Sequence, residues 1–193
     1  MLPSLCAGIA GLLWGGSSSL AGLAAPPLRG SLGAHDPGSI IKCKDKYYIF
    51  YTGQGISWKS STDKVFWTEG GRVFASPPNW TTNAAPGFTD IIWAPDITYI
   101  NGRYCLYYAV STLGSQVSGI GLVTNPTLDP TAPTYLWTDQ GPVMTSTNGS
   151  AYNTIDPSAT FDASGNPWLC FGSYRNGIYV VQLRSVDGFE NFV

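Results

Sequence analysis

Charge is scarce in this sequence. Lys, Arg, Asp and Glu together make up 11 % of 193 residues, the net charge is −2, and His35 is the only histidine. A chain with no basic stripe has no electrostatic footprint for a nucleic-acid partner. With one histidine and no Cys-x-x-Cys pair, no zinc site can be assembled, and no metal ligand is assigned within the chain. Of the four cysteines, Cys6 falls in the apolar leader. Cys43, Cys105 and Cys170 fall in strand-like segments, where a thiol serves as a small hydrophobe. The odd number left also allows a free thiol or a partner elsewhere. Heptads and long runs with a 3.6-residue period are missing, which excludes a helical bundle. Glutamate is nearly missing too, with only Glu69 and Glu190.

The first residues are apolar and small, with no charge before Arg29. Gly and Ser interrupt residues 5–25 too often for a membrane span. The segment reads as a secretory signal over 1–25, cleaved near Gly22-Leu23-Ala24, with an uncleaved anchor as the alternative. Residues 26–33 then form a short linker, and 34–193 form one domain. The expected product is extracellular and free of the membrane. Two sequons, Asn79-Trp80-Thr81 and Asn148-Gly149-Ser150, permit glycosylation if the host secretes through an ER.

What the chain has in quantity is Gly (23), Pro (14), Tyr (11) and Trp (7). Short aromatic runs bounded by Gly, Pro, Asn and Asp are the signature of an all-β fold. These runs recur. "GAHDPGSII", "WAPDITYI" and "TIDPSATF" place Asp36, Asp96 and Asp156 at intervals of 60 residues. Each is followed by an aromatic strand: "KYYIFYTG", "RYCLYYAV" and "PWLCFGSY". A Gly-Ile pair (Gly55-Ile56, Gly119-Ile120, Gly177-Ile178) then opens a further strand, and two copies close alike with "VFWTEGG" and "YLWTDQG". A fixed period signals a repeat architecture. Four strands per repeat describe a propeller blade, whereas a sandwich predicts no equal spacing. From residue 33 onward the chain holds two blades and most of a third, so it reads as the amino-terminal part of a longer propeller.

In a propeller the innermost strand of each blade lines the channel. An Asp at the start of successive inner strands would gather carboxylates at one mouth, an arrangement suited to glycoside hydrolysis by a base and an acid. Crowded like charges raise one another's pKa. An isolated Asp-Pro is otherwise a turn residue bonded to its own backbone. Trp93, Tyr152 and Tyr174 lie close to these motifs and suit sugar stacking. Tyr47, Tyr48, Tyr104, Tyr107 and Trp168 sit at strand positions expected to pack between blades.

The segments "AHDPGSII", "WAPDITY", "YYAVSTLGSQVSGIGLVTNPTLDP", "WTDQGPV" and "NTIDPSATFDASGNPWLCFGSY" resemble glycoside hydrolase family 43, specifically its endo-1,5-α-L-arabinanases, almost continuously from 35 to 183. The resemblance implies a five-bladed β-propeller, of which this chain carries about two and three-quarter blades. It also implies inverting cleavage of pectic arabinan, secretion, and a monomer when full length. Asp36 matches the general base. Asp156 matches the carboxylate that orients the acid and tunes its pKa. Gly114, Asn153, Thr154, Ile155, Ser173 and Tyr174 match substrate-lining positions, and Trp93 and Asp96 match the cleft wall. Arg175 stands where the family has an aromatic, which alters one stacking contact. Gly38 stands where the family favours Ser, which is expected to loosen the turn beside the base. The family's acid is a Glu in the next blade, and neither Glu69 nor Glu190 occupies a channel position. A calcium ion, held partly by a later His, belongs to the full-length fold. Two other readings compete with the endo-arabinanase: an exo-acting arabinofuranosidase or xylosidase of the same family, and a non-catalytic sugar-binding or non-functional propeller fragment.

Overall fold

The computed structural model describes residues 25–183. The expected signal over 1–25 and Glu190 therefore lie, but for Ala25, outside the described residues. Thirteen strands and one short helix, α1 (Thr81–Ala84), make up the fold. The first blade runs outward as β2 (Ile41–Cys43), β3 (Lys46–Tyr51), β5 (Ser57–Ser61) and β6 (Phe66–Arg72). In the second, β7 (Ile91–Ile100), β8 (Arg103–Val110), β9 (Ser118–Asn125) and β10 (Thr138–Ser146) form the same antiparallel meander. A third group follows: β11 (Ser158–Phe161), β12 (Pro167–Ser173) and β13 (Gly177–Gln182). The architecture is all-β and of the propeller type, with two four-stranded blades and three strands of another. The Gly-Ile pairs mark the third strand of each blade, as their recurrence implies.

Two short strands extend these units, one of them across blades. β4 (Gly53–Gln54) leaves the first blade and pairs with the start of β7. Within the segment read as a linker, β1 (Arg29–Gly30) pairs in parallel with β6, so those residues are an added outer strand and not free chain. Gly30 is required there, because a Cβ would meet the Trp67 carbonyl oxygen at 2.1 Å.

The core lies between blades, and the period of two along a strand explains why. In β8, Tyr104, Leu106, Tyr108 and Val110 pack with Tyr48, Phe50 and Ile56 of the first blade. The intervening Cys105 and Tyr107 pack with Leu169 and Phe171 of the third. β8 is buried beyond its first residue and β9 throughout, so the second blade is a sheet covered on both faces. Such a strand needs an unbroken apolar run, not alternation. "YCLYYAV" is that run. The third blade is covered on one face only: Leu169 and Phe171 are buried, whereas Ile178 and Val180 of β13 are exposed.

Candidate active site

The first strands of the three blades converge. Asp36-Pro37, Ala94-Pro95 and Asp156-Pro157, with the residues that follow each pair, line a cleft of about 380 Å³. The residue before each proline is in the left-handed region, with φ of 44° at Asp36, 38° at Ala94 and 53° at Asp156. This conformation costs a non-glycine residue roughly 1–2 kcal/mol. Proline further narrows what its predecessor can adopt. In the second blade the ladder between β7 and β8 slips at this point, between Trp93 and Asp96. Bulges of this kind re-aim side chains at the end of a sheet, and strained backbone gathers at functional sites.

This geometry corrects the 60-residue alignment. The position equivalent to Asp36 and Asp156 is Ala94, so the structural intervals are 58 and 62 residues. Asp96 lies two residues further on, at the position equivalent to Gly38 and Ser158. It is 5 % exposed. Its Oδ1 accepts from the Ser39 backbone N–H at 2.8 Å, and its Oδ2 accepts from the Ala159 N–H at 2.9 Å. Those donors sit three residues after Asp36 and three after Asp156. Asp96 therefore bolts the two outer corners to the middle blade, and both its oxygens are committed. Gly38 is also reinterpreted. A Cβ there would lie 2.2 Å from the Pro95 carbonyl oxygen, so glycine permits a close backbone approach between blades and does not loosen the turn.

The two remaining carboxylates differ in their partners. Asp36 Oδ2 accepts from the Thr52 hydroxyl at 2.9 Å and lies 3.3 Å from His35 Nε2. No donor among the described residues reaches Asp36 Oδ1, which leaves that oxygen for water. Asp156 has no hydrogen-bond donor among the described residues. It retains exposed surface toward the cleft. Crowding by protein, and secondarily the charge of Asp36, push its carboxyl above the ordinary value. The cleft thus holds one carboxylate oriented by the Thr52 hydroxyl and one whose carboxyl is pushed above its ordinary value.

Other residues singled out from the sequence form a second, polar group where the middle and third blades meet. The Asn153 side chain, buried, accepts from the Ser118 hydroxyl at 2.9 Å and donates to Ser173 Oγ at 3.3 Å. Gly114, at φ 78°, accepts from Arg175 Nη2 through its carbonyl at 2.6 Å. Ile155 accepts from the Gly172 N–H, which joins this group to the corner that carries Asp156. Tyr174 is 88 % exposed, with the Arg175 guanidinium 5.9 Å from its ring centroid. Thr154 has no exposed surface, and its hydroxyl pairs with Ser146, so it holds a loop and touches no ligand. Trp93 is half-buried beside its partner Ala109 and does not line the cleft.

Thr52 was not singled out in the sequence. The available signal is comparative. The matching positions in the other blades are Ala109, opposite Trp93, and Gly172, which donates to Ile155. A hydroxyl stands at this place in the first blade alone.

Glu69, the only Glu among the described residues, lies on the outer strand β6. Burial raises its pKa, but hydrogen bonds from Ser31 and Tyr51 and the charge of Lys59 outweigh that, holding the carboxyl below its ordinary value. It stays ionised, the reverse of what a proton donor needs. Among the described residues no group of three or more His, Cys, Asp or Glu is placed to hold a metal. His35, exposed and beside Asp36, does not complete such a set. These residues do not fit a channel cation by themselves.

Comparison with known proteins agrees with the geometry. The profile of Glycosyl hydrolases family 43 matches residues 31–188. The chain belongs to this family. An extracellular endo-α-(1→5)-L-arabinanase of Bacillus subtilis is 41 % identical over 153 residues, which are 77 % of this chain and 46 % of that protein. An extracellular exo-α-(1→5)-L-arabinofuranosidase of Cellvibrio japonicus is 39 % identical, over 78 % of this chain and 43 % of its own length. The solved structure of a Cellvibrio cellulosa α-L-arabinanase with arabinohexaose superposes with a TM-score of 0.79 at 36 % identity, covering 84 % of this chain and 51 % of that one. The fold is that of the family's five-bladed propeller. The chain spans about half the length of the curated relatives it matches.

Proposed function

We propose that the protein carrying this chain hydrolyses internal α-1,5-arabinofuranosyl bonds of arabinan with inversion, and acts outside the cell as its relatives are named to do. The observation that supports this most is the pairing, in one cleft, of a pinned Asp36 with an Asp156 of raised pKa. Asp36 is the base: Oδ2 is held by the Thr52 hydroxyl, with His35 beside it, and Oδ1 takes the proton of the attacking water. Asp156 orients the acid. Two carboxyls in one cleft with different surroundings are the general pattern for divided roles in glycosidases. The acid comes from a residue outside 25–183, since Glu69 is on the wrong strand and in the wrong state. The polar group of Asn153, Ser173, Arg175 and Gly114 and the exposed Tyr174 form the sugar-binding rim, with Trp93, Asp96 and Ile155 supporting the wall behind it.

The test is Asp36→Asn in the full-length protein, assayed on debranched arabinan. Hydrolysis is lost, by more than the roughly 10²- to 10⁴-fold worth of a general base, while arabino-oligosaccharide binding by calorimetry stays within about threefold of wild type. Near-normal turnover would remove Asp36 from the base role. The exo reading has support in the exo-acting relative. Product analysis separates the two: single sugars or one fixed oligomer from the outset mean exo action, and a falling ladder of oligomers means endo action.

A further inference from the structure

We infer that Thr52 is a positioning residue for Asp36, and that it anchors the carboxylate to the neighbouring blade through the backbone N–H of Ala94. The inference rests on the reading of Asp36 as the base. The Thr52 hydroxyl accepts from Ala94 N at 2.7 Å and donates to Asp36 Oδ2 at 2.9 Å. A hydroxyl has one proton and rotates to suit its partners. Here a backbone N–H, which cannot rotate, takes one of its lone pairs. Its proton is thereby committed to Asp36, and threonine's β-branch restricts the remaining freedom at χ1.

The link crosses between blades. Ala94 is the strained corner of the middle blade, at φ 38°, and its N–H would otherwise need another acceptor in a half-buried place. One hydroxyl thus satisfies the strained corner and orients the carboxylate. The corner bearing Asp156 has no such device, because Gly172 stands at the matching position. Of the two carboxylates, only the one that must face a water at a set angle is held.

Thr52 also joins His35 by a backbone bridge, its N–H donating to the His35 carbonyl at 2.9 Å. That bond survives any side-chain change, so Thr52→Val deletes the hydroxyl relay alone, at nearly constant shape. Thr52→Ser restores the hydroxyl. In the full-length protein Thr52→Val lowers kcat on arabino-oligosaccharides by roughly 10- to 100-fold, the scale of a misoriented catalytic group, with KM within about twofold. Thr52→Ser recovers kcat to within about threefold of wild type on the same scale. A Thr52→Val enzyme with wild-type kcat overturns the inference, as does a Thr52→Ser enzyme as slow as the valine variant. Amide exchange in the full-length protein tests the relay without any activity: Ala94 exchanges faster, by roughly tenfold or more, in Thr52→Val and at the wild-type rate in Thr52→Ser. Unchanged exchange in Thr52→Val overturns the relay. Full turnover by Asp36→Asn strikes the base assignment instead, a separate outcome read on a separate variant.

Discussion

Two aspartates, each followed by proline, end in different surroundings. Asp36 is oriented by Thr52 and lies near His35, while Asp156 has no donor among the described residues and its carboxyl is raised above its ordinary value by its surroundings and by Asp36. A raised folded-state pKa means that folding favours the protonated carboxyl. The resulting stability is fully present below the unfolded-chain value and is lost as pH rises through the folded-state value. Asp156→Asn fixes the neutral form. Its Tm should exceed that of the wild type at pH 7, by up to about 2 °C, and should match it at pH 3, where both forms of the chain carry a largely protonated carboxyl. Thermal melts at the two pH values check this. A variant that is less stable than wild type at pH 7 would show that ionised Asp156 makes favourable contacts. Stability gained while function is lost is the usual mark of a residue kept for chemistry.

At the scale of strands, burial depends on which blade an element belongs to and hardly on its composition. The aromatic strands β3, β8 and β12 look alike in sequence, yet only β8 is covered on both faces. Leu106, fully buried, sits on the face of β8 that meets the first blade. Val180 points from β13 into solvent. Leu106→Ala should therefore cost about 2–5 kcal/mol, whereas Val180→Thr should change stability by less than about 0.5 kcal/mol. Urea titration of both variants in the same chain measures the difference. Equal losses would mean that β13 is covered in solution.

For the whole molecule, the exposed face of the third blade carries the prediction. Ile178 and Val180 leave an apolar strip beside the end of the described chain, and Phe161 and Tyr174 add to the exposed apolar surface of the same blade. Blades are stabilised by their neighbours, so an uncovered one is prone to self-association. The 193-residue chain by itself should associate increasingly with concentration, as followed by light scattering, and should release no reducing sugar from arabinan above background. Supplying the remaining blades of the family fold, fused or as a second fragment, should give both a monomer and activity. A monodisperse, active 193-residue protein would contradict the proposed division of base and acid between this chain and other blades.

The sequence by itself determined the class of fold, the blade period and the family, because these depend on local pattern: aromatic strands, Gly-Pro punctuation and the recurring Asp-Pro motif all report on nearby residues. It also placed Asp36, Asp96 and Asp156 near one another. It misaligned the middle copy, since a count of residues cannot see a bulge, and the spacing of 60 concealed that Ala94 is the true counterpart of the outer two aspartates. Only the tertiary structure decided what each carboxylate is bonded to. Asp96 became a bolt because two backbone N–H groups from different blades point at it. Asp36 became a held carboxylate because a hydroxyl 16 residues away and an amide 42 residues beyond that hydroxyl meet beside it. Hydrogen bonds of that reach depend on where blades are set against each other, and that is a property of packing that no local stretch of residues encodes.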